Sequence, residues 1–264
     1  IIFREFKIGK LIHLIMLDTR QYGRDKQLQP KDYFSKSGFN QAKFYNDLNS
    51  ENRELLGAEQ LSWIENSVLK SNAPWTIFGQ QVLMAKLKFP DLSKMLKTEE
   101  IPDFLKPYLK FLGLGIPSNL DAWDGYPAAR NNLYQLMKSA KKEFISLAGD
   151  THNSWVSELE NQSGRKVGIE LGTPSVTSPG ITDVLNLDED KFVDSIVKIN
   201  KELQWMDPSN RGYLFLDCLE DKIIASFNYI KELNNINAEI SSSQSFVIYR
   251  DGLKLEKIKP SSIK

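Results

Sequence analysis

The stretch Glu143-Phe144-Ile145-Ser146-Leu147-Ala148-Gly149-Asp150-Thr151-His152 decides how the rest of the chain is read. Its first six residues are mostly apolar and read as a buried strand. The chain then turns on Gly149 and presents a carboxylate and an imidazole two positions apart. In an extended backbone such side chains fall on the same side, about 6–7 Å apart at Cα. Asp150 and His152 are thus expected to lean toward one metal-sized volume, the carboxylate for a hard cation and the imidazole for a transition metal. The plainer alternative has Asp150 capping a turn and His152 as an ordinary half-buried polar residue, and the remainder of the chain must decide between them.

Bulk composition removes several function classes. Lys and Arg number 34 and Asp and Glu 34, so the formal charge cancels. That balance supports neither a dedicated nucleic-acid partner nor a polybasic membrane anchor. The single cysteine, Cys218, excludes an intrachain disulfide and a thiolate zinc cluster, and its strand-like setting reads as core. Only His13 and His152 offer imidazoles, so a metal site here must draw mostly on oxygen. No apolar stretch approaches the length of a membrane-spanning helix. The opening Ile1-Ile2-Phe3-Arg4 has neither an initiator Met nor a signal peptide, which leads us to expect a piece of a longer protein.

Along the chain, 3–8 and 11–17 read as a hairpin turning on Gly9-Lys10. A polar loop then runs to about 52. The stripe Leu55, Leu56, Leu61, Trp63, Ile64, Val68 predicts a helix over 50–69. A short strand at 75–78 closes on Gly79-Gln80-Gln81. Residues 86–120, with four prolines, form a long excursion of the kind that serves as a lid, substrate wall or packing arm. A helix at 128–141, strands at 143–148 and 166–172, a helix over about 190–204 and strands at 212–219, 223–229 and 245–250 complete the reading. No internal repeat, low-complexity block or linker divides the chain, so 1–264 is expected to be a single domain.

Seven segments then occur in a telling order: Leu17-Asp18-Thr19-Arg20-Gln21-Tyr22, Leu56-Gly57-Ala58-Glu59-Gln60-Leu61-Ser62-Trp63, Gly79-Gln80-Gln81-Val82-Leu83-Met84, Asp121-Ala122-Trp123-Asp124-Gly125-Tyr126-Pro127, Gly149-Asp150-Thr151-His152, Val176-Thr177-Ser178-Pro179-Gly180 and Arg211-Gly212-Tyr213. The series resembles the PhoD-like alkaline phosphatases, a branch of the calcineurin-like metallophosphoesterases. The resemblance implies an α/β fold, a two-sheet sandwich flanked by helices (α/β/β/α), with its amino-terminal part missing here. It implies a polymetallic site at the carboxyl ends of the strands, holding Ca2+ and Fe3+ or another divalent metal. It also implies hydrolysis of phosphate mono- or diesters by a metal-activated hydroxide attacking phosphorus, and an extracytoplasmic location.

Carried over residue by residue, Asp150 would ligate or bridge toward a calcium and His152 would ligate the iron. Gln80 and Gln81 stand where many metallophosphoesterases carry a lone metal-binding His. An amide oxygen there suits calcium, while the alternative is a pair of amides satisfying loop backbone. Family members also carry a Cys, a Gly-Asp-x-x-Tyr and an Asp-Asp-His ahead of the hairpin. Nothing in residues 1–50 replaces them, and His13, inside an apolar strand, reads as a core histidine. The fragment alone is therefore expected to be weak or inactive, and a non-catalytic module that binds phosphorylated ligands or serves structurally is the competing reading.

Four further residues are candidates. Arg20 is expected either to bind a phosphate oxygen, which suits a guanidinium, or to pair with Asp18. Asp121 and Trp123 are expected at the substrate mouth, with Arg130 facing the same way, and Asp124 as the cap of the following helix. The hydroxyls at 177–178 either touch phosphate or make a turn.

Overall fold

The computed structural model describes residues 2–92, 95–96, 103, 106–117 and 119–258. In chain order the strands and helices are β1 (Arg4–Ile8), β2 (Ile12–Met16), β3 (Phe34–Ser35), β4 (Gly38–Phe39), α1 (Gln41–Leu48), α2 (Ala58–Leu69), β5 (Trp75–Gly79), α3 (Lys106–Leu112), α4 (Pro127–Ser139), β6 (Phe144–Ala148), β7 (Ser154–Glu160), β8 (Lys166–Gly172), α5 (Ile181–Leu185), α6 (Glu189–Ile199), β9 (Leu203–Asp207), β10 (Gly212–Cys218), β11 (Lys222–Ile230), β12 (Ile240–Tyr249) and β13 (Leu255–Ile258).

Two sheets form a sandwich. Seven strands run in the order β1-β2-β5-β6-β8-β7-β9, and four in the order β10-β11-β12-β13, with β3 and β4 as a separate small hairpin. At the heart of the large sheet β2, β5, β6 and β8 are parallel, while β1, β7 and β9 join antiparallel. Every residue of β5 is buried, as a parallel strand covered on both faces requires. In β11, by contrast, alternate residues are buried, the pattern of an antiparallel strand with one face on the core.

Each face of the large sheet has its own core. One brings Phe78 and Phe144, their ring centroids 5.0 Å apart, against Ile64 and Val68 of α2, Leu133 and Met137 of α4, and Phe192 and Ile196 of α6. The other packs Ile77, Ile145, Val156 and Ile169 onto Ile223, Phe227, Phe246 and Ile248 of the small sheet, with Trp205 lying 5.2 Å from Phe227 and 5.3 Å from Phe246. The buried apolar side chains of all six helices belong to the first core, so the helical layer seen among the described residues lies against the seven-stranded sheet.

Several expectations shift. The helix placed at 50–69 starts only at Ala58, because Gly57, its N-cap, has a φ of +75° and 51–56 is turn and bend. The polar loop to residue 52 contains α1, capped by Asn40 through its side chain to the Lys43 amide at 3.0 Å. The helix over 190–204 stops at Ile199, and 203–207 becomes β9, pairing with β7. β7 and β13 are further strands, at 154–160 and 255–258, beyond those expected. Part of the 86–120 excursion lies outside the described residues; within it, α3 buries Phe111 and Leu112. His13 is a core histidine, with Nε2 2.6 Å from Glu5 Oε2.

Candidate functional site

The parallel strands end together. Met16 stands beside Gly79, Gly79 beside Leu147, and Ala148 beside Gly172, so the loops at 17–22, 80–81, 149–152 and 173–180 leave the sheet side by side. The carboxyl edge of a parallel sheet is where α/β folds place ligands.

The first loop is fixed from beneath. Asp18 is buried, and its carboxylate accepts the amides of Arg20 (2.9 Å), Gln21 (3.0 Å) and Tyr22 (2.9 Å). Its own amide donates to Gln60 Oε1 at 2.8 Å. Asp18 thus spends its charge on the turn and not on the Arg20 side chain. That guanidinium reaches outward, from Nη1 to Asp121 Oδ2 and from Nη2 to Asp150 Oδ1 at 2.9 Å. Arg24 holds the far side of Asp121, donating to Oδ1 at 2.5 Å and to its carbonyl at 2.8 Å. Arg20 and Asp121 are each 32% exposed and Asp150 36%, so the cluster sits open at the edge. Burial works against the Arg20 charge, but the hydrogen bond and charge of Asp121, and then Asp150, outweigh it and raise the guanidinium's pKa.

Asp150 and His152 do not lie in the extended backbone expected for them. Their φ values are +74° and +60°, left-handed conformations that non-glycine residues adopt at a cost and that concentrate at functional sites. His152 Nδ1 lies 3.0 Å from the Pro179 carbonyl oxygen. A carbonyl only accepts, so Nδ1 carries the proton, and in the neutral ring Nε2 then keeps the lone pair for a ligand. The Pro179 loop is itself braced: Arg211 donates from Nε to the Ser178 carbonyl at 2.6 Å and pairs with Asp183. A Cβ on Gly180 would come within 2.8 Å of the Pro208 carbonyl oxygen, so this turn needs glycine. The hydroxyl of Ser175 donates to the Ser178 carbonyl at 2.6 Å, which makes 175–180 a self-bonded turn.

Other expected residues go elsewhere. Trp123 is fully buried, with Nε1 donating to Gln80 Oε1 at 2.7 Å, and Arg130, 6% exposed, bonds Asp124 Oδ1 at 2.8 Å and the Met84 carbonyl at 2.9 Å. Both belong to the interior and not to a substrate mouth; the apolar surface of an indole and the reach of Arg130 to a buried carboxylate draw them in. Asp124 is no helix cap, since its other oxygen accepts the Leu87 amide at 2.8 Å. Gln80 donates to Ser146 Oγ at 3.0 Å, and Gln81 accepts from the Thr19 amide (2.9 Å) and hydroxyl (2.7 Å) while donating to the Leu17 carbonyl at 2.9 Å. Both amides thus have protein partners.

Sequence reasoning missed a line of acceptors behind the site. Glu170 takes the amides of Met84 (2.7 Å) and Ala85 (2.8 Å), Glu202 that of Lys86 (2.9 Å), Asp124 that of Leu87 and Asn200 that of Lys88 (2.7 Å). Five successive amides therefore end on four side chains from three separate segments: β8, the turn at 123–125 and the 200–202 connection. Burial pushes the Glu170 carboxyl up to about 7, against the opposing pull of the Ala85 and Met84 amides and the Ser146 hydroxyl. A glutamate inside an apolar strand such as 166–172 was the available signal.

Comparison with known proteins follows the same pattern. Residues 1–227 match the family model described as PhoD-like phosphatase. Alkaline phosphatase D of Bacillus subtilis (strain 168) is 30% identical over 267 residues, a match that covers 99% of this chain and 40% of that protein. A solved structure described as "Structure of PhoD" superposes with a TM-score of 0.73 at 28% identity, covering 99% of this chain and 44% of that one. The chain thus spans less than half the length of the relatives it matches.

Proposed function

This chain belongs to the PhoD-like phosphatase family, and from that premise we propose that the intact protein hydrolyses phosphate esters at the edge where Arg20, Asp121, Asp150 and His152 meet. The observation that carries this reading is the position of Arg20, a partly exposed guanidinium held between two carboxylates at the ends of parallel strands. Its planar fork matches two phosphate oxygens, and its raised pKa keeps it charged at any working pH. A phosphoryl group entering here would replace one of the carboxylates on the guanidinium. His152, fixed through Nδ1, and Asp150, fixed by the loop, would then stand beside it without reorganising.

Metal dependence, with calcium and iron, is part of the proposal. Asp150 and His152 are suitable donors by type, yet among the described residues no three His, Cys, Asp or Glu side chains converge on a cation. Two donors do not fit a polymetal centre, and we propose that the other ligands come from outside the described residues. Such a centre, once completed, would supply an activated water and neutralise phosphoryl charge. An extracytoplasmic location belongs to the same proposal; among the described residues no helix is long and apolar enough to cross a membrane. The shortage of donors also supports a second reading, a non-catalytic module that binds phosphorylated ligands.

The two readings part in one assay. p-Nitrophenyl phosphate is given, with iron and calcium, to the 264-residue chain and to the intact protein. We expect turnover by the intact protein, lost by about a hundredfold or more in His152→Ala, and little by the chain alone. An intact protein that binds phosphate yet never turns over would favour the binding module.

A further inference from the structure

Behind the charged cluster lies a cavity of about 530 Å³, within the roughly 300–1,000 Å³ range of small-molecule sites. Its walls are loops of the site already described. Leu120 and Ala122 flank Asp121, Thr151 stands between Asp150 and His152, and Pro179 is the residue whose carbonyl holds His152. The lining is mostly apolar, with Leu83, Leu87, Trp155, Ile181 and Leu185 among its side chains.

Apart from Gln27 and the side-chain N–H₂ of Asn119, both half-buried, the polar side chains that line this space are already engaged. Thr151 Oγ1 accepts from Trp155 Nε1 at 2.8 Å. Asn153 donates to the Pro208 carbonyl at 3.4 Å and accepts from the Ile181 amide at 3.3 Å. Asp124 is taken by Arg130 and the Leu87 amide. A sugar or polyol entering the cavity would lose hydrogen bonds to water and find few in return, whereas an apolar group would lose nothing.

We propose that this cavity receives the organic group of the phosphoester and selects an aryl or short alkyl group over a polyol. The inference rests on the phosphoester reading above, but the binding arm of its test does not. The phosphoryl end stays with the charged cluster and the alcohol end lies across the shared wall at 151 and 179. Val184, 54% exposed on the rim, is a position where a charge can be placed without disturbing the fold.

The probes are 1-naphthol, 1-naphthyl phosphate and glycerol 3-phosphate, with calorimetry and the tryptophan indole N–H signals as readouts. We expect 1-naphthol, which carries no phosphate, to bind with a Kd on the order of 1 mM or tighter and to shift the Trp155 indole signal, identified by Trp155→Phe. Val184→Asp is expected to weaken that binding by about tenfold. Ile181→Ala, which enlarges the cavity without adding charge, should weaken it less. The proposal is overturned if 1-naphthol leaves Trp155 unshifted, or binds Val184→Asp as tightly as the parent. It also falls, alone, if the intact protein hydrolyses 1-naphthyl and glycerol phosphates with equal kcat/KM. If 1-naphthol binds as described and neither ester is hydrolysed, the cavity stands and the phosphatase reading falls.

Discussion

Two groups of charged side chains lie on either side of the loop at 119–124, and they use similar residues for opposite ends. At the edge, Arg20 meets Asp121 and Asp150 in the open, beside a loop in which Asp150 and His152 both hold left-handed backbone. Inside, Arg130 meets Asp124 with both side chains buried, and Glu170, Glu202 and Asn200 continue the line along the amides of 84–88. In the inner group each acceptor already receives a backbone amide. The outer group is held by exchangeable ion pairs. A carboxylate next to an arginine is therefore no sign of a site until its exposure and its other partners are known.

The largest expected effect belongs to the inner pair. Arg130→Met leaves the Asp124 carboxylate buried without its counter-charge, and breaking a buried pair in this way costs about 3–5 kcal/mol. Chemical denaturation would measure it, and a loss under about 1 kcal/mol would erase the distinction between the two groups.

Glu170→Gln sharpens the comparison through pH. The Glu170 carboxyl is raised by burial to about 7 from the ordinary 4.5, so the folded protein holds its proton more tightly than the unfolded chain does. Its stabilising contribution is full below about 4.5 and is lost as pH rises through about 7. Thermal unfolding should accordingly show a melting temperature that declines between these values. Glu170→Gln should remove that decline and, by turning an amide N–H₂ toward a backbone N–H, cost about 1–3 kcal/mol at low pH. An unchanged slope in the variant would assign the titration to another group.

Smallest is the effect of the outer group on stability. Arg20→Ala and Asp121→Asn should each change it by less than about 1 kcal/mol, since these pairs are a third exposed and screened by solvent. Arg20→Ala should nevertheless reduce phosphate binding in the intact protein, since it removes the fork that would meet the phosphate oxygens. A cost of several kcal/mol from Arg20→Ala would mean that the edge cluster is a structural clamp.

Much of this architecture could be read from local pattern. The hairpin of β1 and β2, the buried strands β5, β6 and β8, and helices α2 and α4 each carry a period or run that the backbone imposes on the sequence. Elements whose identity depends on a distant partner could not be read so. Residues 203–207 continue the apolar period of α6, and they become β9 only because β7 offers an unpaired edge. Trp123 and Arg130 looked like mouth residues for the same reason: their character was visible, but Gln80, Asp124 and the Met84 carbonyl, which bind them, lie 43, 6 and 46 positions away.

From the sequence alone came the order of seven short segments, the buried strands that lead into Gly79 and end at Ala148, and the choice of Asp150, His152, Arg20 and Asp121 as chemical groups. These depend on residue type and near spacing, which covalent geometry fixes. Only the tertiary structure decided that Arg20 faces Asp150 across 130 positions, that the Asp150 loop is left-handed, that His152 is held by the Pro179 carbonyl, and that an apolar cavity lies behind that loop. Such facts follow from competition among buried hydrogen bonds and charges brought together by packing, and no local window of the chain contains both parties to that competition.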